Sequence, residues 1–382
     1  MNWRNETMFV TGATGFIGGR VSERMMQAGV PKVRALVHGM HRAARIARMP
    51  VELCIGDLQD RESLRQALGG AKVVIHCGLG LPGTIVRETE NMLAVAYAAG
   101  VKRFIHVSTA AVYGITPPAG SETEEAPLRR TGDPYCDQKA AAEKVVLHYG
   151  KRGLPVVILR PSIVWGPYSA WSTRLMDDLR AGQVAFIDGG RGACNTSYVD
   201  NLIDAMVLGL ENDRGLNQTF FITDGERVSW GDFIRAHMAL MEPSPEVGVI
   251  SRAEIEASRG KSSGLLLGSI KATAQVVRSK EFRQMLMQIP LTEAVMKKAW
   301  IWVSSLPAEK RERLRARLGV PRRAAKSASA QFIPDAVTEA TQSTTVFFSI
   351  EKARKVLGYE PRVRFAEGMK LVEQWLRYAA YL

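Results

Sequence analysis

Thr11-Gly12-Ala13-Thr14-Gly15-Phe16-Ile17-Gly18 is the stretch on which the fold turns. The apolar run Thr7–Thr11 leads into it and reads as a strand, and Phe16–Ala28 follows as a helix. Glycines at this spacing let the chain turn tightly, let peptide N–H groups approach a pyrophosphate, and let the helix pack on the strand. A glycine-rich turn alone is weak evidence, because many strand–helix turns contain glycine. This one sits in the first βα turn, where a dinucleotide site requires it. Gly12, Thr14, Gly15, Phe16, Ile17 and Gly18 are therefore expected to bind a cofactor.

Outward from this loop, short apolar runs alternate with helical stretches. Val33–Val37, Val51–Ile55, Val73–Cys77, Arg103–Ser108 and Val156–Leu159 read as further strands. Glu88–Ala99, stopped by Gly100, and Asp137–Tyr149 read as helices. The pattern predicts an α/β fold, a doubly wound parallel sheet of Rossmann type, which binds ligands beyond the carboxyl ends of its strands. A dinucleotide-binding domain is expected over residues 1–165, completed by segments around 195–225. Tyr198–Leu210 reads as helical there and Gln218–Thr223 as a strand. A smaller, interleaved substrate lobe is expected over 166–382. It includes a basic helical insertion, 252–330, and C-terminal helices over 349–382. Of these, Ile350–Leu357 is stopped by Gly358, and Phe365–Tyr381 is the last.

Composition narrows the class. The chain has 382 residues, 46% hydrophobic and 23% charged, as ordinary globular proteins do. It contains no apolar run long enough for a membrane-spanning helix. Met1–Glu6 lacks the apolar core of a secretory signal. Cys54, Cys77, Cys136 and Cys194 are scattered, without the spacing of a zinc site or a disulfide framework. A cytoplasmic protein with reduced thiols and no metal is expected. The net charge of +13 is uneven: Arg252–Lys326 holds 17 Lys/Arg against 6 Asp/Glu. In that segment Ala294–Leu306 mixes Trp300 and Trp302 with Lys297 and Lys298, and Glu309–Leu318 is a charged helix. A helical cap over the substrate is expected, with peripheral contact to an anionic membrane as the alternative. Ala324–Gln331 reads as a linker. No nucleic-acid motif accompanies the charge, so nucleic acid is not expected as a partner. A homodimer is.

Two groups of residues carry chemistry. Tyr135 and Lys139 stand four residues apart, hence on one face of a helix. A free phenol titrates near about 10, so proton transfer at neutral pH asks for help, which a nearby ammonium gives by favouring the phenolate. Ser108 and Thr109 end the fifth strand, where a hydroxyl can hold a substrate oxygen against Tyr135. The plainer alternative is that they satisfy backbone at a strand end. At the end of the second strand, His38-Gly39-Met40-His41-Arg42 contains no acid. His38, His41 and Arg42 suit a 2′-phosphate, which favours NADP(H) over NAD(H). Alternatively they are solvated residues beside a short exposed helix, Arg42–Arg48. Asp57, followed by Leu58, suits the adenine amino group, or else caps the next helix.

With these residues in view, the chain resembles the extended short-chain dehydrogenase/reductase family, also called the NAD-dependent epimerase/dehydratase family. The matching marks are TGATGFIG at 11–18, GDL at 56–58, HVSTAAVYG at 106–114, YCDQK at 135–139, LRPSIVWGP at 159–167 and YVDN at 198–201. The resemblance implies Tyr135 as acid/base, Lys139 as ribose anchor and tuner of the phenol, and Thr109 as the substrate-orienting hydroxyl. Phe221–Glu226 is similar to the 3β-hydroxysteroid dehydrogenase-like branch. Relatives acting on nucleotide-sugars carry a diphosphate-binding arginine where Cys194 stands here, with Arg191 nearby. A thiol cannot fork onto phosphate oxygens. The expected function is hydride transfer between nicotinamide and a secondary alcohol or ketone of a bulky small molecule, sterol-like, lipid-like or glycosyl. A nucleotide-sugar epimerase or dehydratase that retains NAD is the alternative. A non-catalytic NADP(H) sensor or scaffold is the remote one.

Overall fold

Met8–Thr11 (β1) is buried at every position, as a strand covered on both faces must be. A computed structural model describes residues 2–80, 83–260 and 332–382 of the chain. Around β1 lie β2 (Val33–Val37), β3 (Glu52–Ile55), β4 (Val73–His76), β5 (Arg103–Val107) and β6 (Val156–Pro161). Three short strands follow, β7 (Ile163–Trp165), β8 (Ala185–Ile187) and β9 (Thr196–Tyr198), then β10 (Gln218–Ile222) and β11 (Gly248–Ile250). Seven strands form one parallel sheet in the order β3-β2-β1-β4-β5-β6-β10, a doubly wound Rossmann-type sheet. Gln218–Ile222 thus extends the sheet beyond β6. Strand order reverses between β1 and β4, and a crevice opens at the carboxyl ends of such a pair. Small two-stranded sheets, β7 with β9 and β8 with β11, stand apart from it.

The strand period sorts side chains to two cores. Met8 and Val10 face α1 (Phe16–Gln27) and α6 (Val199–Glu211), while Phe9 faces the other side. On that side pack α2 (Arg61–Leu68), α3 (Ile85–Ala98) and α4 (Pro134–Lys151). Each fully buried Leu, Ile, Val or Phe contributes roughly 1.5–3 kcal/mol. A third core joins Trp165, Cys194, Tyr198 and Phe233 to helices α5 (Ala170–Arg180), α7 (Trp230–Met238) and the C-terminal Phe365–Tyr378.

Several boundaries differ from the sequence pattern. Helix α4 starts at Pro134, not Asp137, because Asp133 caps it and proline tolerates the first turn. The expected helix over 42–48 is instead a single 3-10 turn, Met40–Arg42, followed by turns. The last helix stops at Tyr378 rather than Tyr381, where Ala380 turns left-handed with φ of 55°.

The chain divides into two units: Met1–Ser251 with Pro334–Leu382, and Arg252–Ile333. In the second, Arg252–Gly260 is helical (α8). The tryptophan-bearing stretch at 294–306, the charged helix at 309–318 and the linker at 324–331 lie outside the described residues. After them come α9 (Ala336–Gln342), α10 (Glu351–Leu357) and α11, the final Phe365–Tyr378. Among the described residues no helix is long and apolar enough to cross a membrane.

Candidate active site

Two glycines of the opening loop have no substitute. Gly12 adopts φ of +67°, and a Cβ there would lie 2.6 Å from the Cys77 carbonyl oxygen. A Cβ on Gly18 would lie 2.3 Å from the Gly12 carbonyl oxygen. The loop therefore presses against the end of β4, and α1 presses against the loop. Gly15 is the N-cap of α1, with no side chain to cap it, so the helix N-terminus offers bare peptide N–H groups. That cradle fits a dinucleotide pyrophosphate. Phe16 and Ile17 are partly buried and pack against the core. Thr11 closes the floor: its Oγ1 accepts from Gly78 N at 2.9 Å and meets His76 Nδ1 at 2.7 Å.

The residues after β2 are exposed. His38 Nδ1 lies 3.8 Å from Asp57 Oδ2, which brings two of the expected cofactor residues together. Asp57 accepts from Gln59 N at 2.8 Å but does not cap α2; Asp60 does, accepting from Glu62 N. Leu58 Cδ1 comes within 2.7 Å of where a Cβ on Gly78 would sit, so Leu58 borders the loop after β4. His41 folds its ring back on Gly39, and Arg42 stays in solvent. The cation drawn against α1 is one the sequence pattern gave no reason to single out. Arg45 is half-buried, beside Gly19, with its guanidinium 4.2 Å above the Tyr168 ring.

Tyr135 and Thr109 meet. Asp133 accepts from Cys136 N at 2.9 Å and Pro134 occupies the first turn, which sets Tyr135 at the mouth of α4. The Thr109 hydroxyl accepts from Ala111 N at 3.1 Å and stands beside the Tyr135 phenol, with which it lines one cavity wall. Ser108, by contrast, is buried, so of the two candidate hydroxyls Thr109 is the one presented. One turn after Tyr135, Lys139 is 3% exposed and donates from Nζ to the Val107 carbonyl at 2.9 Å. Burial pulls its pKa down to about 8.

The expected lowering of the phenol pKa is not what this arrangement produces. Burial pushes Tyr135 above its ordinary value, and the neighbouring Thr109 hydroxyl opposes this only in part. The Lys139 charge falls on the interior instead, helping burial to depress His76 and His106. Its ammonium points at the end of β5, where those imidazoles stack 5.4 Å apart.

A buried network braces the site. Arg160, from β6, grips Glu143 of α4 at 2.6 Å and donates to the Tyr113 hydroxyl at 2.9 Å. Tyr113 in turn donates to the Ala126 carbonyl at 3.1 Å. The arginine and tyrosine of the LRPS and VYG stretches are thus ties between the turn after β5 and the helix that carries Tyr135.

Thr109 and Tyr135 line a cavity of about 370 Å³ together with Ile163, Trp171, Trp230 and Phe348. The last four were not expected. They are single aromatic or aliphatic residues scattered over almost two hundred positions, and no local spacing connects them. Cys194 does not enter the cavity. It is fully buried beside Trp165 and Tyr198, its thiol pKa pushed well up by burial, while Ala193 and Asn195 on either side line the wall. Arg191 is exposed and lies outside the wall.

Residues 8–222 match the family model described as the NAD dependent epimerase/dehydratase family. The 4-hydroxy-2-methyl-3-oxo-4-farnesyl-3,4-dihydroquinoline-1-oxide ketoreductase of Stigmatella aurantiaca is 31% identical over 253 residues, 63% of this chain and 75% of that protein. Sterol demethylase protein B of Methylococcus capsulatus is 28% identical over 244 residues, 60% of this chain and 73% of its own. Among solved structures, UDP-glucuronic acid 4-epimerase from Bacillus cereus, in complex with NAD, superposes with a TM-score of 0.65 at 18% identity. That match covers 98% of this chain and 99% of the other, and it shows a shared fold.

Proposed function

Since this chain belongs to the NAD dependent epimerase/dehydratase family, we propose that it is a reductase or dehydrogenase working with NADP(H) on a secondary alcohol or ketone of a bulky substrate. The observation that carries this is that Thr109 and Tyr135 stand side by side in the wall of the 370 Å³ cavity. Gly12, Gly15 and Gly18 would hold the pyrophosphate, Asp57 and Leu58 the adenine side, and Lys139 the ribose. When bound, the nicotinamide supplies or accepts the hydride. Thr109 orients the substrate oxygen, and Tyr135 gives it a proton or takes one. A phenol whose pKa burial has raised is held in its acid form, which suits protonation of a carbonyl oxygen during reduction. The absence of a carboxylate at the end of β2, with His38 and Arg42 exposed there, supports NADP(H).

The test pairs gel filtration with a spectroscopic screen of ketones, sterols and nucleotide-sugars. Protein that leaves the column nearly free of nucleotide and then oxidises NADPH with a ketone supports the proposal. Protein that retains NAD through the column and interconverts a UDP-sugar overturns it in favour of an epimerase.

A further inference from the structure

The charge around the cavity bears on what enters it. Among its described lining residues there is no lysine or arginine, and the one carboxylate is that of Asp133. This carboxylate is fixed in place as the cap of α4, and its charge reaches the Tyr135 phenol. Much of the remaining wall is apolar. The Trp171 and Trp230 rings have centroids 5.7 Å apart, and Phe348, Ile115 and Ile163 join them. Asn195 is already engaged, donating from Nδ2 to the Val346 carbonyl and accepting at Oδ1 from Phe348 N, each at 2.9 Å. Arg129 and Arg130 line an adjoining cavity that shares Gly114, Ile115 and Asp133 with this one.

An anion entering the Tyr135 cavity would lose water, gain no cationic partner from the described wall, and face Asp133. Such burial is strongly disfavoured. A flat apolar ring would meet aromatic faces instead. We propose that the cavity selects a neutral, ring-bearing ketone or its alcohol, that Trp171, Trp230 and Phe348 hold the ring, and that Asp133 turns anionic substrates away. The inference rests on the ketone–alcohol function proposed above.

The experiment is calorimetric binding to the full chain saturated with NADP+, using three probes: acetonaphthone, its ring-carboxylated analogue, and UDP-glucose. Acetonaphthone should bind, its carboxylated analogue at least about tenfold more weakly, and UDP-glucose should not compete. Asp133→Asn keeps a capping side chain but removes the charge, and should narrow the gap between the two ketones several-fold. Trp171→Ala, at a residue 40% exposed and so tolerant of change, should weaken acetonaphthone by about tenfold, with Trp171→Phe restoring most of it. Equal or tighter binding of the carboxylated ketone overturns the proposal. So does displacement by UDP-glucose, failure of acetonaphthone to bind, or a gap unmoved by Asp133→Asn. Binding is read without turnover, so the two proposals separate. Acetonaphthone that binds but never oxidises NADPH contradicts hydride transfer and leaves the selection standing. NADPH oxidation by the charged ketone in preference to the neutral one does the reverse.

Discussion

Lys139 shows at the scale of one residue how burial shifts a titration. Its pKa of about 8 lies below the ordinary 10.5, so between these values the unfolded chain holds more protons than the folded one. Stability from this residue therefore rises with pH across that window, and the cost of burying the charge is fully present below about pH 8. Against Lys139→Met, the wild type should gain on the order of 3 kcal/mol between pH 8 and pH 10.5 in urea unfolding; parallel pH profiles would contradict the burial argument. The same variant should weaken cofactor binding and slow turnover. At the other end of the cofactor site, Arg42→Ala should cost NADPH about ten- to a hundred-fold in affinity and leave NADH nearly untouched. Fluorescence titration with both cofactors reads this directly, and a variant that weakens both alike would mark Arg42 as a solvated residue. Gly12 and Gly18 were legible because their chemistry is local: a positive φ and a carbonyl 2.3 Å from a Cβ leave glycine as the only choice. Trp171, Trp230 and Phe348 were not legible, since only tertiary folding makes them neighbours.

Elements were read best where burial and period agree. Met8–Thr11 and Val73–His76 are buried on both faces and appear as continuous apolar runs. The helix expected over 42–48 does not form: after the 3-10 turn Met40–Arg42 the chain continues in turns, and these bury Ala43 and Ile46 in the core without a helix. Helix α4 is the element on which the site depends. Asp133→Ala should cost about 1 kcal/mol of stability through the lost cap, and Asp133→Asn much less. If thermal melts show the two alike, the cap is not what orders this helix. The Arg160–Glu143 pair ties the same helix to β6 and is 5% and 2% exposed. Glu143→Ala, which strands a buried guanidinium, should destabilise by about 3–5 kcal/mol. A loss within about half a kcal/mol of zero would show the pair to be dispensable.

For the molecule as a whole, the doubly wound sheet follows from the alternation of strand and helix, and the cofactor crevice follows from the sheet. The cavity beside Tyr135 does not, because its wall is gathered from positions 109 to 348. Acid should expose the cost of this interior. His76 and His237 are buried neutral, their pKa values pulled to about 3 and about 4, and His106 lies well below 6.5. The unfolded chain takes up these protons near 6.5, so stability is full above that pH and is lost as pH falls through the range below it. His76 and His237 each contribute on the order of 3–5 kcal/mol, and His106 acts in the same direction. The urea midpoint should drop sharply between pH 7 and pH 5, whereas a flat profile would mean the three imidazoles are not buried neutral.

The central claim is that Tyr135, beside Thr109, moves the proton that accompanies hydride transfer. Single-turnover oxidation of NADPH by a reducible ketone, followed by absorbance in the wild type and in Tyr135→Phe, tests it most directly. Removing only the phenolic oxygen should slow the step by about 10²–10⁴-fold while the NADPH dissociation constant stays within about twofold. A variant that keeps more than about a tenth of the wild-type rate would contradict the assignment.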